Sequence, residues 1–199
     1  MKDDSFNSED LSAESIEDTR TDEEKIKNKK EEQKDDSIQN LNLILSISNT
    51  LTTILDENKK LKNYKEIIKK QSKMIFSANS IPGISIKDYL IRIQTYSCIE
   101  KSTLIISLIL IDQICKKTNL ILTYYNIHRI LFGAILISIK YNEDSYYENK
   151  FYAEIAGVKL KELKIIEYSI LEMSDFNVFV DYKKYKQYQQ YLEEFSQIN

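Results

Sequence analysis

Glycine and proline are almost missing from this sequence: three glycines and one proline occur in 199 residues. Because these two residue types supply most tight turns and interrupt helices, such a chain has little means of building the many reversals of a β-sheet protein. No long stretch alternates apolar and polar residues, as a half-buried strand would. The sequence therefore predicts an all-α fold of long helices joined by short connections.

Charge divides the sequence after residue 37. Residues 1–37 contain 14 acidic and 7 basic side chains, a net charge of −7, whereas the other 162 residues contain 17 acidic and 21 basic side chains, a net charge of +4. The first segment has too few apolar residues to offset the entropy of ordering, so we predict a disordered acidic tail over 1–37. An acidic tail on a mildly basic body argues against binding to nucleic acid.

Apolar residues recur at helical spacing from residue 38 onward. They predict an N-terminal helical segment over 38–77, a group of five closely spaced helices over 78–181, and a tyrosine-rich C-terminal helix over 182–199. The predicted helices before the last one are 37–56, 64–76, 86–96, 102–117, 124–140, 149–156 and 160–174. The helix over 102–117 is apolar on almost every side, so we expect it to lie at the centre of the bundle.

The residues that usually carry catalysis or metal binding are scarce. Cys98 and Cys115 lack the spacing of metal ligands, and His128 is the only histidine, which we expect to pack or cap a helix. We therefore expect no enzymatic activity, no metal, no cofactor and no small-molecule substrate. The apolar runs are too short for a membrane span, and the N-terminus lacks the apolar core of a signal peptide. These features predict an intracellular protein of the nucleus or cytoplasm that has no contact with a membrane.

Segments between residues 84 and 167 resemble, in order and spacing, a single cyclin box, and more narrowly the box of P/U-type (phosphate-system-like) cyclins. The matching segments are 84–93, 108–112, 126–131, 139–140, 149–158 and 160–163, followed by Glu167. The resemblance implies a five-helix bundle with N-terminal flanking helices and a C-terminal helix. It also implies a regulatory subunit that binds and activates a cyclin-dependent protein kinase by holding the kinase's regulatory helix in its active position.

The resemblance implies a kinase-binding surface around two charged residues. Lys140 would donate hydrogen bonds to backbone carbonyls at one end of the kinase's regulatory helix, and Glu167 would accept them from neighbouring N–H groups. Nothing in the sequence is placed to pair with both charges, so we expect both to be partly exposed and available. The rest of the expected surface consists of Ile137, Tyr141, Glu143, Leu171 and Phe176.

The resemblance also implies a buried ion pair between Arg92 and Asp112, which would tie the first helix of the box to the second. Asp112 lies inside an apolar run, and a carboxylate buried without a partner would cost several kcal/mol. Two other functions stay open on the sequence alone: a cyclin-box scaffold in transcription, and a helical interaction module that has no kinase. A pulldown would distinguish these three functions by what it recovers: a kinase, nucleic acid or neither.

Overall fold

The computed structural model describes the backbone of residues 22–198 and the side chains of residues 40–194. Every regular element in this range is an α-helix, which confirms the all-α prediction. The helices are α1 (Asp22–Lys59), α2 (Tyr64–Gln71), α3 (Ile86–Ser97), α4 (Lys101–Thr118), α5 (Ile127–Asn142), α6 (Asn149–Ala156), α7 (Leu160–Met173) and α8 (Tyr182–Ile198). The chain divides into two compact units, Met1–Ser37 and Ile38–Asn199, and the packing described below lies within the second unit.

The first helix begins earlier than the sequence predicts. Residues 22–37 are helical, so the predicted disorder is wrong for them, while residues 1–21 lie outside the described part of the chain. Residues 22–37 include neither glycine nor proline and are rich in Glu and Lys, which favour helix formation. Further along, α1 contributes a buried stripe at helical spacing to the core: Ile44, Ile47, Leu51 and Leu55.

The centre of the bundle is α5 rather than α4. Every residue of α5 from Ile130 to Ile139 is buried, and the helix packs against α4, α6 and α7. Helix α4 packs against α5, α7 and α8, but Asp112 is partly exposed and its last turn, 116–118, faces solvent. The expectation that α4 is the central helix is therefore wrong, because one edge of this mostly apolar helix reaches the surface.

Helices α5 and α7 approach closely at Gly133. A Cβ atom at this position would lie 2.8 Å from Cγ2 of Ile166 and 3.0 Å from Cγ1 of Ile170. Both distances are shorter than ordinary carbon–carbon contacts of 3.5–4.0 Å, so only glycine fits this crossing without displacing α7. The crossing places the end of α5 beside the middle of α7.

The short helix α6 sets the spacing between α5 and α7. It ends at Gly157, whose φ of +71° lies in the left-handed region that favours glycine at a helix C-terminus. Helix α7 begins three residues later, at Leu160. The bounds of α6 and this glycine stop agree with the prediction from the sequence.

The second half of α1 is fixed to the connection between α4 and α5. Asn58 Nδ2 donates a hydrogen bond to the carbonyl oxygen of Leu122 at 3.0 Å, and the Tyr124 hydroxyl donates to Asp56 Oδ1 at 2.7 Å.

None of the helices over residues 22–198 combines the length and apolar character of a membrane span. In the same range, no cluster of His, Cys, Asp and Glu side chains could hold a metal ion.

Candidate functional site

The two charges expected to bind a partner lie next to each other. Lys140 is in the last turn of α5, Glu167 is in the middle of α7, and Lys140 Nζ lies 2.6 Å from Glu167 Oε1. The Lys140 side chain is 26% exposed and the Glu167 side chain 18%. Both charges are partly exposed, as expected, but they are not unpaired: the two residues, 27 positions apart, form a partly buried ion pair with each other.

The second carboxylate oxygen of Glu167 is also bonded. Asn149, the first residue of α6, donates a hydrogen bond from Nδ2 to Glu167 Oε2 at 2.9 Å. Three helices therefore meet at this carboxylate. With one contact on each oxygen, the Glu167 side chain has a single well-supported orientation.

Exposed aromatic side chains accompany the ion pair. Tyr141 directly follows Lys140 and Tyr168 directly follows Glu167, and both are more than half exposed. The ring of Tyr168 meets the ring of Phe176 edge-to-face, with centroids 6.1 Å apart. Exposed aromatic surface beside a partly buried charge pair is typical of a protein-binding surface.

A specific helix ending determines the position of Phe176. The Phe176 N–H donates to the Leu171 carbonyl oxygen at 2.7 Å, and the Asp175 N–H donates to the Glu172 carbonyl oxygen at 3.0 Å, which is the hydrogen-bond pattern of a Schellman motif. Asp175 and Phe176 have φ of 53° and 57°, values that are uncommon for residues other than glycine. This turn holds Phe176 at the surface against Tyr168 and brings the carboxylate of Asp175 to Lys117.

The remaining residues of the expected surface fall into different environments. Leu171 is half-buried and packs against the core. Glu143 Oε1 accepts a hydrogen bond from the backbone N–H of Glu100 at 3.2 Å, at the start of α4. Ile137 is only 4% exposed, so its expected place in the apolar floor of the surface is wrong: α5 is covered by its neighbours along that stretch.

The expected ion pair between Arg92 and Asp112 is wrong. Arg92 Nη2 donates instead to the carbonyl oxygen of Glu154, the third-last residue of α6, at 3.0 Å. Asp112 Oδ2 accepts hydrogen bonds from Lys116 Nζ at 2.8 Å and from the hydroxyl of Tyr188, on α8, at 2.7 Å. The Asp112 side chain is 28% exposed, so it is not the fully buried charge that would require an arginine partner.

Three further residues support the site, and the prediction from the sequence did not include them. Asn149 and Tyr168 contact the expected residues directly, and Arg129 joins the same two helices near the other end of α5. Arg129 forms an ion pair with Glu162 of α7 and donates from Nη1 to the carbonyl oxygens of Ile75 and Ser77, at 3.1 and 2.8 Å. An arginine close to the start of an otherwise apolar helix was the available signal for this anchor.

The arrangement of α3 to α7, with a charge pair across α5 and α7, is that of a cyclin box. The Cyclin family model matches residues 11–178, so the chain belongs to the cyclin family. The prediction of a P/U-type cyclin is also confirmed, because its relatives are cyclins of these types.

Three relatives illustrate the relationship. Cyclin-U3-1 of Arabidopsis thaliana is 37% identical over 107 residues, which cover 54% of this chain and 48% of that protein. Cyclin-U1-1 of Arabidopsis thaliana is 31% identical over 156 residues, covering 75% of this chain and 74% of that protein. The PHO85 cyclin-like protein psl1 of Schizosaccharomyces pombe is 35% identical over 109 residues, covering 54% of this chain and 45% of that protein. The chain spans about half the length of most of the curated relatives it matches.

Proposed function

We propose that this cyclin binds a cyclin-dependent protein kinase through the surface around Lys140 and Glu167, and that binding activates the kinase. The observation that carries the proposal is the ion pair itself: two opposite charges from α5 and α7, 2.6 Å apart and partly buried, beside exposed aromatic rings. The similarity to a protein described as a PHO85 cyclin-like protein supports a kinase as the partner class.

The pair can bind a partner's backbone without separating. A lysine ammonium has three N–H donors, and Lys140 uses one of them on Glu167. A carboxylate accepts about four hydrogen bonds, and Glu167 accepts two, from Lys140 and Asn149. The end of a kinase helix offers carbonyl oxygens to Lys140, while backbone N–H groups nearby are offered to Glu167. Because the two side chains are already held in place, little rotamer entropy is lost on binding.

Activation then follows as a shift between two kinase conformations. A ligand favours the state for which it has the higher affinity, and the contacts proposed here are available only when the kinase's regulatory helix is turned inward. The inward helix brings its glutamate to the lysine that aligns the phosphates of ATP, which completes the catalytic site. In this proposal, the cyclin supplies binding energy and no chemistry of its own.

Reversing the pair, with Lys140→Glu and Glu167→Lys in one protein, tests the proposal. The reversed pair can still form its internal ion pair, so the melting temperature should stay close to that of the unaltered protein. It presents the wrong polarity to the kinase backbone, and loss of a buried, hydrogen-bonded charge contact costs about 2–5 kcal/mol of binding energy. We expect affinity for the co-purified kinase to fall by about 30-fold to a few thousand-fold.

A matched control exchanges Glu57 and Lys60, a second ion pair with a 2.6 Å contact, whose side chains are 65% and 69% exposed. This reversal should leave both the melting temperature and kinase stimulation unchanged. If the Lys140/Glu167 reversal also leaves kinase binding and stimulation unchanged, the pair is not part of the interface and the proposal is wrong. Recovery of nucleic acid without a kinase, from an affinity purification of the unaltered chain, would instead support the scaffold function.

A further inference from the structure

Lysine is concentrated where α1 ends and α2 follows. Seven of the fifteen residues 59–73, the lysine corner, are lysines, whereas the whole chain has 28 basic residues in 199. All seven lysines are exposed, and Glu66 is the only acidic residue of these fifteen. Seven positive charges and one negative charge give the lysine corner a net charge of +6, in a chain whose net charge is −3.

Little of this charge is neutralised by neighbouring side chains. Lys60 forms an ion pair with Glu57 at 2.6 Å. The other six lysines take part in none of the ion pairs found among residues 40–194: Lys59, Lys62, Lys65, Lys69, Lys70 and Lys73. Salt screens charges beyond about 8 Å at physiological ionic strength, so acidic residues elsewhere in the chain do little to cancel the charge of the corner.

A tight turn gathers the lysines in one place. The N–H of Lys60 donates to the Glu57 carbonyl oxygen and the N–H of Leu61 donates to the Asn58 carbonyl oxygen, both at 3.1 Å, as α1 ends. The N–H of Tyr64, the first residue of α2, donates to the Leu61 carbonyl oxygen at 3.0 Å. The end of one helix and the start of the next therefore lie side by side, together with their lysines.

Helix α2 is amphipathic, and its lysines face solvent. Lys65 and Lys69 are four residues apart and share one exposed face. Ile67 and Ile68 lie on another face, and both are partly buried. The helix therefore turns its apolar side toward the protein and presents a basic surface outward.

The lysine corner is remote from the residues proposed to bind the kinase. Asn58, just before the corner, bonds to the carbonyl oxygen of Leu122, and the N–H of Ala78 donates to the carbonyl oxygen of Tyr125 at 2.8 Å. Both ends of this segment are thus fixed just before the start of α5, whereas Lys140 lies in the last turn of α5. At 1.5 Å per residue, the two ends of α5 are about 20 Å apart.

The composition of the lysine corner favours an anionic membrane surface over other polyanions. Clusters of four to eight basic residues on an amphipathic helix are typical of binding to anionic lipids. The corner has no arginine, which is the preferred residue for bidentate recognition of phosphate in nucleic acids. Leu61, among the lysines, is 40% exposed, and such a side chain gains stabilisation by entering the boundary between lipid headgroups and acyl chains.

We propose that the lysine corner binds the surface of a membrane that contains anionic lipids. The ammonium groups would contact lipid phosphate and carboxylate groups, and Leu61 would enter the apolar boundary beneath them. The sequence predicts no contact with a membrane because its apolar runs are too short to span one, but attachment to the surface requires no such run. The proposal does not depend on the proposed function, because the kinase-binding surface lies at the other end of α5.

Co-sedimentation of the full chain with lipid vesicles tests the proposal. One set of vesicles consists of phosphatidylcholine alone, and the other contains equal amounts of phosphatidylcholine and phosphatidylserine. We expect saturable binding to the second set only, and added salt should weaken it. One lysine near such a surface contributes about fivefold in affinity, so the variant with Lys62→Gln, Lys65→Gln and Lys69→Gln should bind about 100-fold more weakly.

A matched control removes the same number of charges elsewhere. Lys159, Lys161 and Lys164 are exposed lysines around the start of α7, and their replacement by glutamine should leave vesicle binding unchanged. Both triple variants should keep the melting temperature of the unaltered chain, since all six lysines are exposed. An equal loss of binding in the two variants would overturn the proposal, because it would show that net charge alone matters.

Three further results would overturn the lipid surface as the partner. The first is equal binding to the two sets of vesicles. The second is unchanged vesicle binding by Leu61→Ser, which removes the apolar contact and should weaken binding. The third is a change of ligand class: tighter binding to a DNA duplex, or full release from the vesicles by inorganic phosphate at the concentration of the lipid phosphate.

Discussion

At the scale of single residues, His128 shows how a lone histidine is used inside an apolar bundle. Its Nε2 donates a hydrogen bond to the carbonyl oxygen of Ile84 at 2.9 Å, and its ring meets the ring of Tyr89 edge-to-face at 5.1 Å. Nδ1 is buried and has no hydrogen-bond partner among the described residues. Burial lowers the pKa of His128, and the hydrogen bond to Ile84 opposes this only in part. His128 therefore packs in its neutral form, and packing is one of the two roles that the sequence predicts for it.

This burial makes folding stability depend on pH. The unfolded chain takes up a proton on His128 near pH 6.5, whereas the folded protein takes it up only at lower pH. Neutral His128 therefore makes its full contribution to the free energy of unfolding above pH 6.5. This contribution is lost as the pH falls toward the pKa of His128 in the folded protein, and the free energy of unfolding then decreases by at most about 1.4 kcal/mol per pH unit. Urea unfolding between pH 7.5 and 5 should show this slope, and it should be smaller in His128→Gln, which keeps an N–H donor but does not titrate in this range. An unchanged slope in that variant would show that other groups cause the dependence.

The sequence indicates the two charged residues of the candidate site, but not the contacts they make. Lys140 and Glu167 are identified by their spacing within the cyclin-like segments. Their mutual contact depends on how α5 crosses α7, which no local pattern encodes. The same holds for Asp112: an acid inside an apolar run predicts a partner, but besides Lys116, one helical turn away, Asp112 pairs with Tyr188, 76 residues later in the chain.

At the scale of helices, the crossing of α5 and α7 depends on Gly133. It is the only glycine in α5, and a glycine inside an apolar helix is a recognisable signal of close approach by a neighbour. Its lack of a side chain lets Ile166 and Ile170 pack directly on the backbone of α5. The crossing then determines the distance between Lys140 and Glu167.

Gly133→Ala should destabilise the protein although alanine is the better helix former. Overpacking a core costs about 1–3 kcal/mol, and replacing glycine by alanine in a helix recovers about 1 kcal/mol of it. We expect a net loss of up to about 2 kcal/mol in urea unfolding, together with weaker kinase binding as α7 moves away from Lys140. In the same helix, Ser138→Ala serves as a control. The Ser138 hydroxyl is buried without a hydrogen-bond partner among the described residues, so its removal should leave stability unchanged or raise it. An increase in stability for Gly133→Ala would contradict the role of the crossing.

Most helices could be predicted to within a few residues, and the exceptions have local causes. The start of α5 is predicted at residue 124, but the helix begins at Ile127. The side-chain oxygen of Asn126 accepts a hydrogen bond from the Thr123 N–H at 2.8 Å, which holds the preceding residues in a turn. Helix α2 ends at Gln71 rather than at residue 76, because turns follow it and Phe76 packs into the core outside any helix.

At the scale of the whole molecule, the C-terminal helix α8 is part of the core that the cyclin box builds. Tyr185 and Tyr188 pack against the buried residues, and Leu192 is 2% exposed. The tyrosine stripe predicted from the sequence therefore lies partly on the inner face of α8, as expected for a helix that covers the core. The packing of α8 against α4 could not be predicted, because it depends on contacts between segments that lie far apart in the sequence.

Leu192→Ala should therefore weaken the whole fold. Truncation of a fully buried leucine costs about 2–5 kcal/mol, as lost burial and a residual cavity combine. Tyr182→Ala, at a position that is 71% exposed at the start of the same helix, should change stability by less than about 0.5 kcal/mol. Both values can be measured by urea unfolding. Similar small effects for the two variants would show that α8 detaches from the bundle in solution.

The ion pair between Lys140 and Glu167 also has a consequence for the kinetics of association. Because the two charges neutralise each other within 2.6 Å, an approaching molecule meets a dipole rather than an isolated charge. The field of a dipole falls off quickly, and salt screens what remains beyond about 8 Å at physiological ionic strength. Such a surface exerts little attraction at long range, so a partner that binds there would be selected after collision, by the survival time of the encounter complex, rather than by the rate at which it arrives.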